Sequence, residues 1–253
     1  MLQTWIISLL WPLTRIMAVI AVVPIFSRNA IPNMVKLGLG VILTLAILPT
    51  LPAMPHFEIF SYQGLLILLQ QLIIGLAIGF SMTLVFAAVD VAGQLIAMSM
   101  GLGFASFFDP AQGQSSAVSQ FLGLLTMLIF LSVDGHLMIV TALANSFVTM
   151  PIAVAGAGIN PMKIAIWGEV VFSAGLLLAL PAVVALLITN MALGILTRTA
   201  PQLNLFGIGF PITLSMGFVV LALVLPGMLQ PLERLIEQGV SHMSEIALVA
   251  LPH

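Results

Sequence analysis

Four places in the chain bring together residue types able to do chemistry. Asp134-Gly135-His136 sets a carboxylate two residues from an imidazole, a pair suited to acid–base work only where both groups meet in one cleft. Two apart on a helix they point to different sides, so a capping or turn role is the better reading. Asp90 and Gln94 share a helical face, with Gly93 beside them. As chemistry this would be a proton relay; as structure it is a helix-end carboxylate bonded to a partner's backbone or to Arg15, and the structural reading is preferred. Arg15 stands in the middle of an apolar run, where a charge costs roughly 2.5–3.5 kcal/mol on insertion scales and by default faces protein or water; the alternative is a side chain that snorkels to a headgroup. Glu233 and Glu237 share a face, as a solvated amphipathic stripe would place them.

None of these makes a catalytic centre. His56, His136, His242 and His253 never fall within one helical turn of each other, and the chain has no cysteine, so neither a zinc pair nor thiol chemistry is expected. No phosphate-binding loop, HExxH or GxSxG occurs. Gly101-Leu102-Gly103 and Gly207-Ile208-Gly209 begin like a dinucleotide fingerprint but lack its third glycine. The expectation is a non-enzymatic protein with no catalytic residues, no metal and no cofactor.

The elements that position these residues follow from composition. Of 253 residues, 6% are charged and 61% hydrophobic, where a soluble domain carries about 25% charged residues. No charged residue occurs in 37–57, 59–89, 110–133, 170–197 or 199–232, and each interval exceeds the ~20 residues that span a hydrocarbon core as a helix. An all-α integral membrane protein follows, because backbone exposed to lipid must satisfy its own hydrogen bonds. The net charge of −2 leaves no basic patch for phosphates, which argues against a nucleic-acid partner.

In order, the pattern predicts a helix over 4–26, a second over 34–51 and a third over 64–89 with a small-residue stripe Gly75, Gly79, Thr83, Ala87. A second stripe, Gly93, Ala97, Gly101, Ala105, leads to a break at Phe107-Phe108-Asp109-Pro110. Such stripes let backbones approach closely, which is how membrane helices pack, and two of them call for several neighbouring helices. The segment after the second stripe reads as a loop projecting into a passage. An apolar segment over 117–150 is bent or divided at Asp134-Gly135-His136; a helix over 170–196 and one over 211–230, ending at Pro226-Gly227 and Pro231, form a hairpin. Residues 233–253 read as an amphipathic tail whose apolar face lies on a membrane or, preferably, on a partner helix.

Two stretches carry a specific resemblance. Pro201-Gln202-Leu203-Asn204-Leu205-Phe206-Gly207-Ile208-Gly209-Phe210-Pro211 resembles the signature connection of the FliR family of flagellar type III export-gate proteins, which has SctT-type relatives in injectisomes. The stretch from Asp90 to Pro110 resembles that family's central segment, with Asp90, Gly93, Gln94, Gly101, Phe104, Asp109 and Pro110 in matching places. Arg15, Pro24, Arg28, Pro32 and Lys36 agree as well, so the resemblance covers nearly the whole chain.

The resemblance implies helical hairpins packed into a hetero-oligomeric export-gate assembly. One copy of the chain would join FliP-type and FliQ-type membrane subunits, with an FlhB-type export-switch protein and lipid around them. The assembly would sit in the bacterial inner membrane at the flagellar basal body, and unfolded flagellar subunits would pass through its pore. By the same resemblance, 1–160 is FliP-like and 161–232 is a FliQ-like hairpin. The family's plug falls on 104–116, making Phe104, Phe107, Phe108, Asp109 and Pro110 the closure residues. Gly75, Gly79, Asp90, Gly93, Gln94, Gly101, Asn204, Phe206, Gly209 and Pro211 serve helix packing and assembly. The alternative from a different class is a self-sufficient secondary transporter of a small solute, which needs inverted repeats and midplane polar groups on broken helices; the chain shows no convincing repeat and few ionisable residues.

Overall fold

A computed structural model of the chain describes residues 2–28, 30–51, 61–104, 116–152, 159–199 and 209–246, the side chains of 2–8 and of Phe104 excepted. Among the described residues the regular structure is helical. Helix α1 spans Leu2–Val22, α2 Pro24–Ser27, α3 Asn33–Ile47, α4 Tyr62–Ser99, α5 Ala117–Ser132, α6 Gly135–Thr149, α7 Pro161–Trp167, α8 Val170–Thr199 and α9 Phe210–Ile246. Four helical stretches are long and apolar enough to cross a membrane, or up to five if α5 and α6 count as one broken span.

Local chemistry sets the boundaries. The chain breaks at Val23 because the residue before a proline is driven out of the helical region, and Pro24 then opens α2. Ser116 caps α5 by accepting a hydrogen bond from the Ser119 amide, and Asn160 caps α7 by accepting one from Met162. The apolar run 117–150 is divided rather than bent continuously: Asp134 adopts a left-handed backbone, φ 55°, and helix α6 restarts at Gly135. The Asp134 carboxylate makes no capping bond, so its part is the turn itself.

Two expectations are corrected here. Helix α4 does not stop at residue 89; it runs on to Ser99, 38 residues or about 57 Å at 1.5 Å per residue. Asp90 therefore sits within a helix and not at its end. Helix α9 likewise does not end at Pro226 or Pro231 but continues through both to Ile246. Each proline removes one backbone bond, a loss that membrane helices tolerate when neighbours compensate. Here Leu232, Leu235, Ile236, Val240, Met243 and Ile246 are all buried within the chain, so the amphipathic face of 233–246 is covered intramolecularly and not by a partner helix.

The chain folds as two compact units. The first comprises 1–84, 134–168 and 236–253, the second 85–133 and 169–235. In the first unit, the glycines of α4 lie along α1. A Cβ on Gly75 would overlap the Arg15 carbonyl and stand 2.6 Å from Ala18 Cβ, and one on Gly79 would stand 3.2 Å from the Val19 carbonyl oxygen and from Val22 Cβ. Thr83, one turn on, donates its hydroxyl to the Val22 carbonyl at 3.1 Å. In the second unit, Gly93 of α4 meets the backbone of Ser119 on α5, Gly175 of α8 meets the Ala88 carbonyl, and Phe86 packs on Phe130 with ring centroids 6.2 Å apart.

These contacts predict opposite outcomes for two glycines. Gly75→Val forces α1 away from α4 and should lower stability by about 1–3 kcal/mol, as overpacking does. Gly123→Ala on α5, where a Cβ meets nothing within 4 Å, should be neutral or raise stability by up to about 1 kcal/mol through helix propensity. Thermal unfolding of the detergent-solubilised protein measures both; equal melting of the two variants contradicts the assignment of close approach.

Candidate functional site

The lone charge of the first apolar helix is built into a joint. Arg15 on α1 has no solvent exposure. Its Nε donates to Gln71 Oε1 on α4 at 2.8 Å, one terminal nitrogen to the Ser146 carbonyl at 2.8 Å and to Ser146 Oγ at 3.1 Å, and the other to the Met150 carbonyl at 2.8 Å. The guanidinium carbon lies 4.2 Å from the centroid of the Phe147 ring, a cation–π contact. All the acceptors are neutral. Two are carbonyls at the C-terminal end of α6, that of Ser146 also accepting the Met150 amide, where the negative end of the helix dipole favours a cation. Arg15 thus does not snorkel: it holds α1, α4 and α6 together inside the first unit.

Gln71, Ser146 and Phe147, fully or almost fully buried, complete this joint. None stands out as a site residue in the sequence. Gln71 alone leaves a sign there, as an amide inside a stretch without charge; the other contributions are two backbone carbonyls, a hydroxyl and a ring, which no residue pattern marks.

Asp90 belongs to the second unit. Its Oδ2 accepts from Gln94 Nε2 at 2.8 Å, one turn along the same helix, while its own carbonyl accepts the Ser119 hydroxyl at 2.8 Å. With Gly93 set against Ser119, this stitches the start of α5 to α4. Gly101 is also corrected. Helix α4 ends at Ser99, so Gly101 lies beyond it with φ +83°. It turns the chain out of the helix in the left-handed conformation that glycine adopts freely, and is not the third member of a packing stripe.

The end of α4 is held from two further helices of the same unit. Asn190 of α8 donates its Nδ2 to the Ser99 carbonyl at 3.1 Å, and the Phe210 ring of α9 lies beside Gly101. Met100 is fully buried against Gly217, where a Cβ would stand 2.5 Å from the methionine side chain. The two flanks of 105–115 are therefore both built into this unit: Ser99 to Gly101 on one side, Ser116 and Ser119 on the other. Phe104 closes a short 3-10 turn over Leu102–Phe104. Phe107, Phe108, Asp109 and Pro110 lie outside the described residues, as do Asn204 and Phe206. Gly209 is buried just before α9, and Pro211 is exposed in its first turn, where a proline costs no hydrogen bond. Among the described residues no group of three or more His, Asp or Glu side chains is arranged to hold a metal ion.

Comparison with known proteins adds an independent finding. Residues 6–239 match the family of bacterial export proteins, family 1. The chain is 46% identical to the flagellar biosynthetic protein FliR of Pectobacterium carotovorum subsp. carotovorum over 229 residues, covering 88% of this chain and 85% of that protein. It is 42% identical to FliR of Escherichia coli (strain K12) over 225 residues, 88% and 86% of the two chains. To FliR of Bacillus subtilis (strain 168) it is 30% identical over 212 residues, 82% of each chain.

The Arg15 joint makes a graded prediction. Arg15→Met takes the donor from the Met150 carbonyl and the Gln71 oxygen, while the Ser146 carbonyl keeps the Met150 amide, and should cost about 3 kcal/mol. Arg15→Lys keeps the charge but not the planar fork, and should recover only part of that loss. The check is melting temperature and the amount of protein accumulating in membranes; an Arg15→Met chain that melts and accumulates like the parent removes the joint's structural role.

Proposed function

The chain belongs to the bacterial export proteins of family 1, and from that premise we propose that it is a non-enzymatic channel subunit of the flagellar type III export gate. In this reading it joins FliP-type and FliQ-type subunits, with an FlhB-type switch protein nearby, in the bacterial inner membrane at the flagellar basal body. Unfolded flagellar proteins pass through the pore they form together. Residues 1–160 are the FliP-like part and 161–232 the FliQ-like hairpin, a division by likeness of segments that the two compact units cross.

The observation that carries this reading is the unequal burial of the apolar helices. The spanning window of α4 is 61% buried within the chain, whereas those of the stretches 33–50, 161–199 and 210–246 are 17%, 28% and 22% buried. Lipid alone could cover such faces. Glycine distinguishes the cases, because a close backbone approach is what small residues permit between membrane helices. Gly38, Gly123, Gly194 and Gly227 have nothing within 4 Å of a Cβ position among the described residues. Four open glycines on apolar helices suit neighbouring helices from other subunits better than lipid tails.

The plug assignment for 104–116, with Phe104, Phe107, Phe108, Asp109 and Pro110 as closure residues, rests on the family resemblance. What supports it is the anchoring of both flanks, since a segment that closes a passage must project from fixed ends. Deleting residues 106–113 should make cells that express the whole assembly permeable to small solutes while the assembly still forms. Unchanged permeability with intact assembly counts against the plug. For the hairpin, Asn204→Ala and Gly209→Leu should reduce copurification with FliP-type and FliQ-type subunits; normal recovery of the complex would remove that assignment.

A further inference from the structure

The last turns of α9 carry a contact that the export reading does not use. The His242 imidazole stacks on the Trp167 indole of α7, with ring centroids 4.0 Å apart and planes at 30°. The indole is fixed from its other edge: its Nε1 donates to the Ser81 carbonyl of α4 at 3.1 Å. His242 Nδ1 is buried and has no hydrogen-bond partner among the described residues, and the nearest carboxylate, Glu245 Oε2, stands 3.8 Å away. Lys163 of α7 donates its ammonium to the Glu245 backbone carbonyl at 3.3 Å. These residues all belong to the first compact unit.

We propose that the stack of Trp167 on His242, with Glu245 beside it, is a pH-sensitive latch that holds the C-terminal end of α9 on α7 most tightly when His242 is protonated. A neutral imidazole leaves Nδ1 either a donor without an acceptor or an acceptor without a donor, and gains only ring stacking. An imidazolium gains on two counts. Its charge lies over the indole face, where cations are attracted. Its Nδ1–H faces the Glu245 carboxylate, at a distance that a small rotamer change closes to a hydrogen bond. The charged groups at the stack are Glu245 on α9 itself and Lys163 on α7; Glu233, Arg234 and Glu237 lie more than one turn earlier on α9, and Asp90 lies more than two turns beyond Ser81 on α4. The Lys163 ammonium opposes protonation, but it is engaged on a backbone carbonyl, whereas the Glu245 carboxylate stands 3.8 Å from Nδ1. Ser81 of α4 presents only its carbonyl, already bonded to the indole. Histidine is the side chain whose charge changes across the physiological range, so the latch responds to acidification of the solution on its side of the membrane.

The test uses the full chain in detergent, alone and within its assembly, and compares it with His242→Gln and Glu245→Gln. Amide exchange is followed over 236–246 and expressed as protection relative to the intrinsic rate at each pH. Acidification from about pH 8 to about pH 5.5, spanning histidine titration, should raise protection in the parent about five-fold, the factor that one added cation–π contact and one exposed ion pair supply. His242→Gln should show no such rise, and Glu245→Gln a smaller one. Indole emission, quenched on acidification only where His242 is present, is the second readout and does not depend on α9 opening. Protection that falls on acidification, or an emission change shared by His242→Gln, overturns the proposal.

Discussion

The fold depends on a guanidinium that has to be buried and has no counter-ion among the described residues. Taking Arg15 out of water is costly, and the cost is offset only while all three of its nitrogens are occupied by acceptors with good geometry. Those acceptors come from α4 and from the C-terminal end of α6, so the position of α1 is fixed against both helices at once. The requirement is stricter than apolar packing. Two apolar helices can slide by a few tenths of an ångström at little cost, but a fork of hydrogen bonds near 2.8 Å cannot. The Gly75 contact is part of the same constraint: it brings α4 onto the Arg15 carbonyl, and the Gln71 amide one turn earlier then reaches the side chain of that same arginine.

The second unit solves a similar problem without a charge. Its helices meet through glycine–backbone contacts and hydroxyl or amide bonds to carbonyls, as at Gly93 with Ser119, Gly175 with Ala88, and Asn190 with Ser99. In a membrane these are the available means. Apolar area gains nothing by leaving lipid for protein, so specificity has to come from shape and from polar groups satisfied across a helix pair. Asp90 shows such a group in use. Its side chain is occupied by Gln94 and its carbonyl by Ser119, an arrangement suited to holding α5 and not to moving protons.

Much of this is legible from residue types, and the limits have physical reasons. The membrane class, the helical content and the break at Asp134 all follow from local signals. Arg15 stands out because a lone charge in an apolar run is conspicuous; its partners do not, because a carbonyl belongs to every residue and carries no sequence mark. Pro226 and Pro231 mislead for a related reason. A proline ends a helix when nothing else holds the chain, and local reading cannot weigh against it the burial of Leu232 to Ile246 on the far side. Gly101 misleads because a packing glycine and a terminating glycine share one letter, and only the backbone angle separates them. The residues around Phe107 and Asn204 are legible by resemblance alone.

Helix α4 gives the arrangement its logic. One turn before Gly75 and Gly79, where a further small residue would extend their stripe, it carries Gln71, whose amide serves Arg15. Gly75 and Gly79 are its contact points for α1 in the first unit, and Gly93 and Ser99 those for α5 and α8 in the second. A helix used on so many sides must be mostly buried, and α4 is; the other long helices keep faces that the chain itself does not cover. Large aliphatic and aromatic side chains fill those faces on α8, among them Phe172, Leu177, Leu187, Ile188 and Ile195. In water such a surface would aggregate. Its persistence is consistent only with a chain whose outer faces are met by lipid or by other apolar helices, which is the condition a wall segment of a membrane conduit satisfies.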